Sequence, residues 1–219
     1  MKPVLSTREE AGRLLAKRLG AYRDSSVVVL ALPRGGVPVA VQIARELHAP
    51  LDLLIVRKIG LPWQPELAYA ALVDGNPPEL VINEDVARYT PLSESALAEA
   101  VRDETAEIER RRSVYMVARA PLDVRGRSVI LVDDGLATGT TARAALKALR
   151  RREPSRLVLA VPVAPVETLA ELRSLVDEIV CLATPDPFRA IGLHYEDFHQ
   201  LEDDEVLLLL REAGQADTS

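Results

Sequence analysis

Apolar residues in this chain fall in short unbroken runs rather than in strict alternation. Residues 26–32 read Ser-Val-Val-Val-Leu-Ala-Leu, and 51–56 read Leu-Asp-Leu-Leu-Ile-Val. Residues 128–132, 157–161 and 178–182 repeat the pattern. Runs of this length suit strands buried on both faces of a parallel sheet. Between them the apolar spacing turns helical: Val39, Ile43, Ala44 and Leu47, then Ala142, Ala145, Leu146 and Leu149, then residues 166–175. Ser6-Thr7-Arg8-Glu9 has the form of a capping box opening a helix with Ala11, Leu14 and Leu15 on one face. Strands alternating with helices predict right-handed crossovers and an α/β fold. The expected core is a mainly parallel sheet of about five strands flanked by helices.

Residues 61–127 interrupt that alternation. Leu61-Pro62-Trp63-Gln64-Pro65 reads as loop, and residues 69–73 and 80–82 as a hairpin around Asp74-Gly75-Asn76. Residues 93–115 read as a charged helix with a thin apolar stripe of Leu97, Val101, Ile108 and Tyr115. Its Arg110-Arg111-Arg112 is expected on a solvated face, with pairs such as Glu107–Arg111. Residues 213–219 are expected to fray.

Composition narrows the possibilities. The 219 residues are 48% hydrophobic and 27% charged, enough for one sizeable core, so a single domain over residues 1–219 is expected. The net charge of −6 weighs against nucleic-acid binding, which rests on basic patches. The single Cys181 cannot form an internal disulfide. No run approaches the roughly 20 apolar residues of a membrane span. Met1-Lys2-Pro3-Val4 lacks the apolar stretch of a signal peptide, so a cytoplasmic location is expected.

The candidate chemistry lies at the ends of the apolar runs. Residues 129–141 pass from a buried strand through Asp133 and Asp134 into the small-residue loop Ala137-Thr138-Gly139-Thr140-Thr141 and then a helix. Such a loop offers N–H groups and hydroxyls at a helix N-terminus, a cradle for phosphate. Acids at a strand's carboxyl end can accept hydrogen bonds from sugar hydroxyls. No Gly-Lys-Ser/Thr ends the loop and no Gly-x-Gly-x-x-Gly is present, which sets aside a Walker A loop and a dinucleotide fingerprint. After the first strand, Pro33-Arg34-Gly35-Gly36 pairs two glycines with a planar phosphate donor. Arg57 and Lys58 follow the second strand, and Phe188 lies in a loop after the last, in a chain only 4% aromatic. Glu66 could be a general acid or base, but a surface glutamate is the preferred reading. His48, His194 and His199 are read as structural, and with Cys181 they lack zinc-ligand spacing.

Residues 129–141 resemble the ribose-phosphate signature of type I phosphoribosyltransferases, whose fold is Rossmann-like. Within that family the chain looks like a branch of predicted phosphoribosyltransferases sharing the Val-Arg-Lys-Ile-Gly and Asp-Asp-Gly-Leu-Ala-Thr-Gly stretches. The resemblance implies transfer of ribose 5-phosphate from phosphoribosyl pyrophosphate (PRPP) to a nitrogenous acceptor, by default a nucleobase, with release of pyrophosphate. It gives Asp133 and Asp134 the ribose hydroxyls and the positive charge that develops as pyrophosphate leaves. It gives Ala137, Thr138, Gly139, Thr140 and Thr141 the 5′-phosphate. Arg34, Gly35, Gly36, Arg57 and Lys58 would take pyrophosphate, with a cis peptide adjoining Arg34. Phe188 would stack on the base from a hood over residues 183–200. Mg²⁺ would be held mainly by PRPP, reaching Asp133 and Asp134 through water. A homodimer is also implied. Two rival readings remain: a non-enzymatic PRPP sensor on the same fold, and a phosphohydrolase with Asp133 as nucleophile. The second is weakened by the absence of Asp-x-Asp spacing.

Overall fold

The computed structural model describes residues 5–23, 25–115 and 121–216, apart from the side chains of Glu66 and residues 214–216. Five strands form a parallel sheet in the order β2-β1-β6-β7-β8. They are β1 (Val27–Ala31), β2 (Leu51–Leu53), β6 (Ser128–Val132), β7 (Arg156–Val163) and β8 (Glu178–Ala183). A second sheet, antiparallel and ordered β3-β4-β5, is built from β3 (Val56–Leu61), β4 (Gln64–Val73) and β5 (Glu79–Ile82). The helices are α1 (Arg8–Arg18), α2 (Gly36–Leu47), α3 (Glu84–Tyr89), α4 (Glu94–Tyr115), α5 (Thr140–Arg151), α6 (Val166–Leu172) and α7 (Asp203–Ala216).

The pleat divides the apolar runs between two cores. Val27, Val29, Ala31, Ile130 and Val132 face α1, α2 and α7. Val28, Leu30, Val129 and Leu131 face α5, with Ala71, Val73 and Val81 of the antiparallel sheet on the same side. That sheet's other face carries Ile59, Leu61 and Tyr69 against partly buried residues of α3 and α4. The interruption in the parallel fold is therefore a layered extension of the second core.

Several expectations need correction. The run 51–56 is split: β2 ends at Leu53 and Val56 opens β3 in the other sheet. The expected loop at residues 61–65 is a tight turn joining β3 to β4, with Leu61 paired to Gln64. The expected hairpin of residues 69–73 and 80–82 exists as β4–β5, with Val73 opposite Glu79. The capping box sits one residue later than read: Thr7 caps Glu10 N–H at 3.2 Å, and Glu10 accepts from Ser6 N–H at 2.6 Å. The region expected to fray lies largely within α7 as far as Ala216. Residues 1–4 and 217–219 lie outside the described residues.

Charge anchors the extension. Glu107 accepts from both Arg110 and Arg111, as its spacing suggests. Arg112 instead reaches Asp74 in the β4–β5 turn at 2.7 Å, and Arg152 at the end of α5 donates to the Asp74 carbonyl. Asp74 is buried, so removing it leaves a mostly buried guanidinium without its partner. Asp74→Ala is expected to cost about 2–3 kcal/mol in urea unfolding, near the lower edge for breaking a buried pair. A loss below about half a kcal/mol, the scale of an ordinary surface change, would mean that this turn does not anchor the extension.

Candidate active site

β1 and β6 are neighbours in parallel register, with Ala31 opposite Val132 and Leu32 N–H donating to Val132 O at 2.9 Å. Their carboxyl ends therefore deliver two loops to one place, residues 33–36 and residues 133–139. The Pro33–Arg34 peptide bond is cis. Gly35 lies directly on the second acid: a Cβ there would sit 2.1 Å from Asp134 Oδ2. The glycine is thus required by contact between the loops, whatever it does for a ligand.

The two acids occupy different environments. Asp134 is 8% exposed, while Asp133 is half-buried. Asp134 Oδ2 accepts from Arg8 Nε at 2.8 Å, and its backbone carbonyl accepts from Tyr195 Oη at 2.7 Å. Asp133 Oδ1 accepts from Asp134 N–H at 2.9 Å. Burial pushes the pKa of Asp133 well up, and the neighbouring Asp134 charge adds to this. Burial also raises Asp134, against the opposing effect of Arg8. The two carboxyl groups also hydrogen-bond each other, so the pair behaves as one unit.

The cradle follows. Gly139 has a φ of +67° at the head of α5, a left-handed conformation that favours glycine, and a Cβ there would meet Thr168 Cγ2 at 2.7 Å. Thr168 Oγ1 donates to Ala137 O at 2.7 Å and ties the loop to α6. Thr138 and Thr140 hydroxyls stand 3.1 Å apart. The first-turn N–H groups of α5 have no helical acceptor. A cavity of about 650 Å³ opens beside Thr138 and Thr140, between the β4–β5 hairpin and Arg143 and Lys147 of α5.

The remaining candidates are less simply placed. Arg34 faces Glu202 and Asp203 at the start of α7, each at 3.7 Å. Arg57 lies within β3 and is bound to Glu104 of α4 at 2.6 Å, while Lys58 is exposed. They belong to the antiparallel sheet and not to the end of the second parallel strand. Phe188 is half-buried and stacks on His194 with centroids 5.4 Å apart. His194 is buried with both ring nitrogens unpaired among the described residues. Burial lowers its pKa. The side chain of Glu66 lies outside the described residues. Sequence reasoning missed Arg8, Tyr195 and Phe198. The available signal was Arg8 itself, a cation in the first turn of a helix, where the dipole disfavours it.

A family model described as the phosphoribosyl transferase domain matches residues 5–197. The chain belongs to the phosphoribosyl transferase family. It is 46% identical over 210 residues to a Mycobacterium tuberculosis protein provisionally named a phosphoribosyl transferase, covering 96% of this chain and 47% of the relative. The chain thus spans about half the length of the curated relatives it first matches. The crystal structure of TT1426 from Thermus thermophilus is 39% identical with a TM-score of 0.83, covering 97% of this chain and 99% of that one. A shorter match, 49% identical over 63 residues, joins 28% of this chain to 34% of the bifunctional protein PyrR of Thermus aquaticus. The α/β fold with its five-stranded parallel sheet is that of the family's type I members.

The raised pKa of Asp133 has a consequence for stability. Folding binds its proton more tightly than the unfolded chain does, so stability present below about pH 4 is lost as pH rises through the folded-state value. Asp133→Asn removes that loss while keeping an oxygen for Asp134 N–H. The variant should be more stable than the native protein at about pH 7, with the advantage shrinking toward about pH 4, as urea unfolding at the two pH values would read. Equal stability at neutral pH would contradict this account.

Proposed function

We propose that the chain transfers ribose 5-phosphate from PRPP to a nitrogen nucleophile, with a nucleobase as the default acceptor. The observation that carries this reading is the meeting of residues 33–36, the acid pair and the head of α5 at adjoining strand ends. A phosphate cradle, two acids and a second glycine loop with an arginine suit a ribose bearing phosphates on both sides. Family membership supports the same donor.

In this reading the N–H groups and hydroxyls of residues 137–141 bind the 5′-phosphate. The Asp133 and Asp134 carboxyl groups accept from the ribose hydroxyls and stabilise the positive charge that grows on the ribose. Arg34, Gly35 and Gly36, with Arg57 and Lys58, receive the pyrophosphate. A C–N bond forms at the anomeric carbon as its bond to the pyrophosphate oxygen breaks, with inversion. The fixed phosphates hold the ribose in line for attack. Phe188 is assigned to the acceptor side.

Mg²⁺ belongs to this reading as a counter-charge for the pyrophosphate. Among the described residues no three acidic, histidine or cysteine side chains gather into a cage. An adjacent pair of acids, too few for a cage, fits an ion that keeps its waters and takes most ligands from phosphates. Asp133 and Asp134 would meet it through water. One domain, a homodimer and a cytoplasmic location complete the proposal; among the described residues no helix is long and apolar enough to cross a membrane.

Incubation with PRPP, Mg²⁺ and a panel of bases should release pyrophosphate only when an acceptor is present. Asp134→Asn should lower that rate by roughly a hundredfold or more, the scale of losing one electrostatic contact to the transition state, with circular dichroism unchanged. Tight PRPP binding without turnover across the panel would favour a sensor instead, and phosphate release from simple esters a hydrolase.

A further inference from the structure

We infer that Arg8 is a positioning residue for the acid pair, holding Asp134 ionised and turned beneath Gly35 so that the carboxylate can accept from ligand. The inference rests on the transfer reading for the same site. Arg8 is 7% exposed. Its Nε donates to Asp134 Oδ2 at 2.8 Å, its Nη1 donates to His199 O at 3.0 Å, and its Cζ stands 3.9 Å above the Phe198 ring. Three contacts fix a planar group whose remaining freedom is small. No ligand role is needed to explain its burial, and helix electrostatics oppose its position at the head of α1.

The physical reason is the spacing of the acids. Asp133 and Asp134 are adjacent and both withdrawn from solvent, and two such carboxylates do not both ionise without a counter-charge. Arg8 is the cation bound to the deeper one. Without it, Asp134 takes up a proton and changes from acceptor to donor on the oxygen it would offer a ribose hydroxyl. The same change removes its negative charge from the growing cation on the ribose. The segments on either side are tied together to keep Arg8 in place: Leu5 N–H donates to His194 O at 3.1 Å and Glu196 N–H to Leu5 O at 2.9 Å. The hood therefore serves the acid pair as well as any acceptor.

The test is a double-mutant cycle on the full chain, read as base-dependent pyrophosphate release. Arg8→Met should lower kcat by roughly tenfold or more and move KM for PRPP less than about threefold. Arg8→Met combined with Asp134→Asn should be as slow as Asp134→Asn alone, because both act through one carboxylate. Arg8→Lys, which keeps the charge but not the planar fork, should recover part of the kcat lost in Arg8→Met. Multiplicative losses in the cycle or no rescue by lysine would each overturn the inference. If the native chain turns over no base, the transfer reading fails on its own. The pair is then judged by the same cycle in urea unfolding, where Asp134→Asn should cost less in the Arg8→Met background and additive costs would overturn the pairing. Should Arg8→Met not fold, Arg8→Gln, which also removes the charge, replaces it in the cycle, with the same non-additivity expected.

Discussion

A buried carboxylate organises this protein. Asp134 lies where four segments meet: the end of β6 that carries it, the Gly35 loop pressed against its oxygens, Arg8 from the start of α1, and Tyr195 from the segment after β8. Withdrawing a charge from water costs several kcal/mol unless it is paired and hydrogen-bonded. The pairing here comes from a residue 126 positions away in the chain. The start of the described chain and the segment after β8 are consequently tied to the middle of the sheet. The parallel bridge between Leu5 and Tyr195 closes that tie, and the Arg8 guanidinium sits over the Phe198 ring.

The antiparallel extension is held differently. Its apolar faces are shared with α5 on one side and with α3 and α4 on the other, so burial supplies most of its adhesion. Direction comes from ion pairs, with Arg112 and Arg152 converging on the Asp74 turn and Glu104 holding Arg57. At the far end of α4, Tyr115 Oη donates to Asp203 of α7, which also faces Arg34. A chain of contacts thus runs from the extension through α7 to the loop after β1.

The parallel sheet was legible because a strand buried on both faces must be apolar throughout, and residues 26–32 and 128–132 announce this locally. The acid pair and cradle were legible for a related reason: strand, acids, small loop and helix follow one another without a gap. The β3–β4 hairpin was obscured by Pro62 and Pro65, which read as loop, and by Arg57 and Lys58, which read as a strand end. Helix α7 was hidden because Val206 to Leu210 is an unbroken apolar run with no helical period to read. Arg8 lay beyond reach for a deeper reason. A pair formed across the whole chain leaves no periodicity, and only the misplaced charge at a helix head hints at it.

The arginines at the site differ in how firmly they are already engaged. Arg34 stands 3.7 Å from two carboxylates that are largely exposed, Glu202 at 74% and Asp203 at 46%. Surface pairs at such distance are worth about 1 kcal/mol or less, so an arriving phosphate would displace little. Arg57 is bound at 2.6 Å to a more sheltered Glu104 and would exchange partners less readily. Arg8 is deeper still, and its partner is the acid itself. Arg34 and Arg57 are equally exposed, at 31% of each side chain, so the strength of their existing pairs separates their roles from one another. The loosely paired Arg34 can turn to a ligand, and the firmly paired Arg57 can tie the extension to α4. The buried one can act only by fixing the charge beside it.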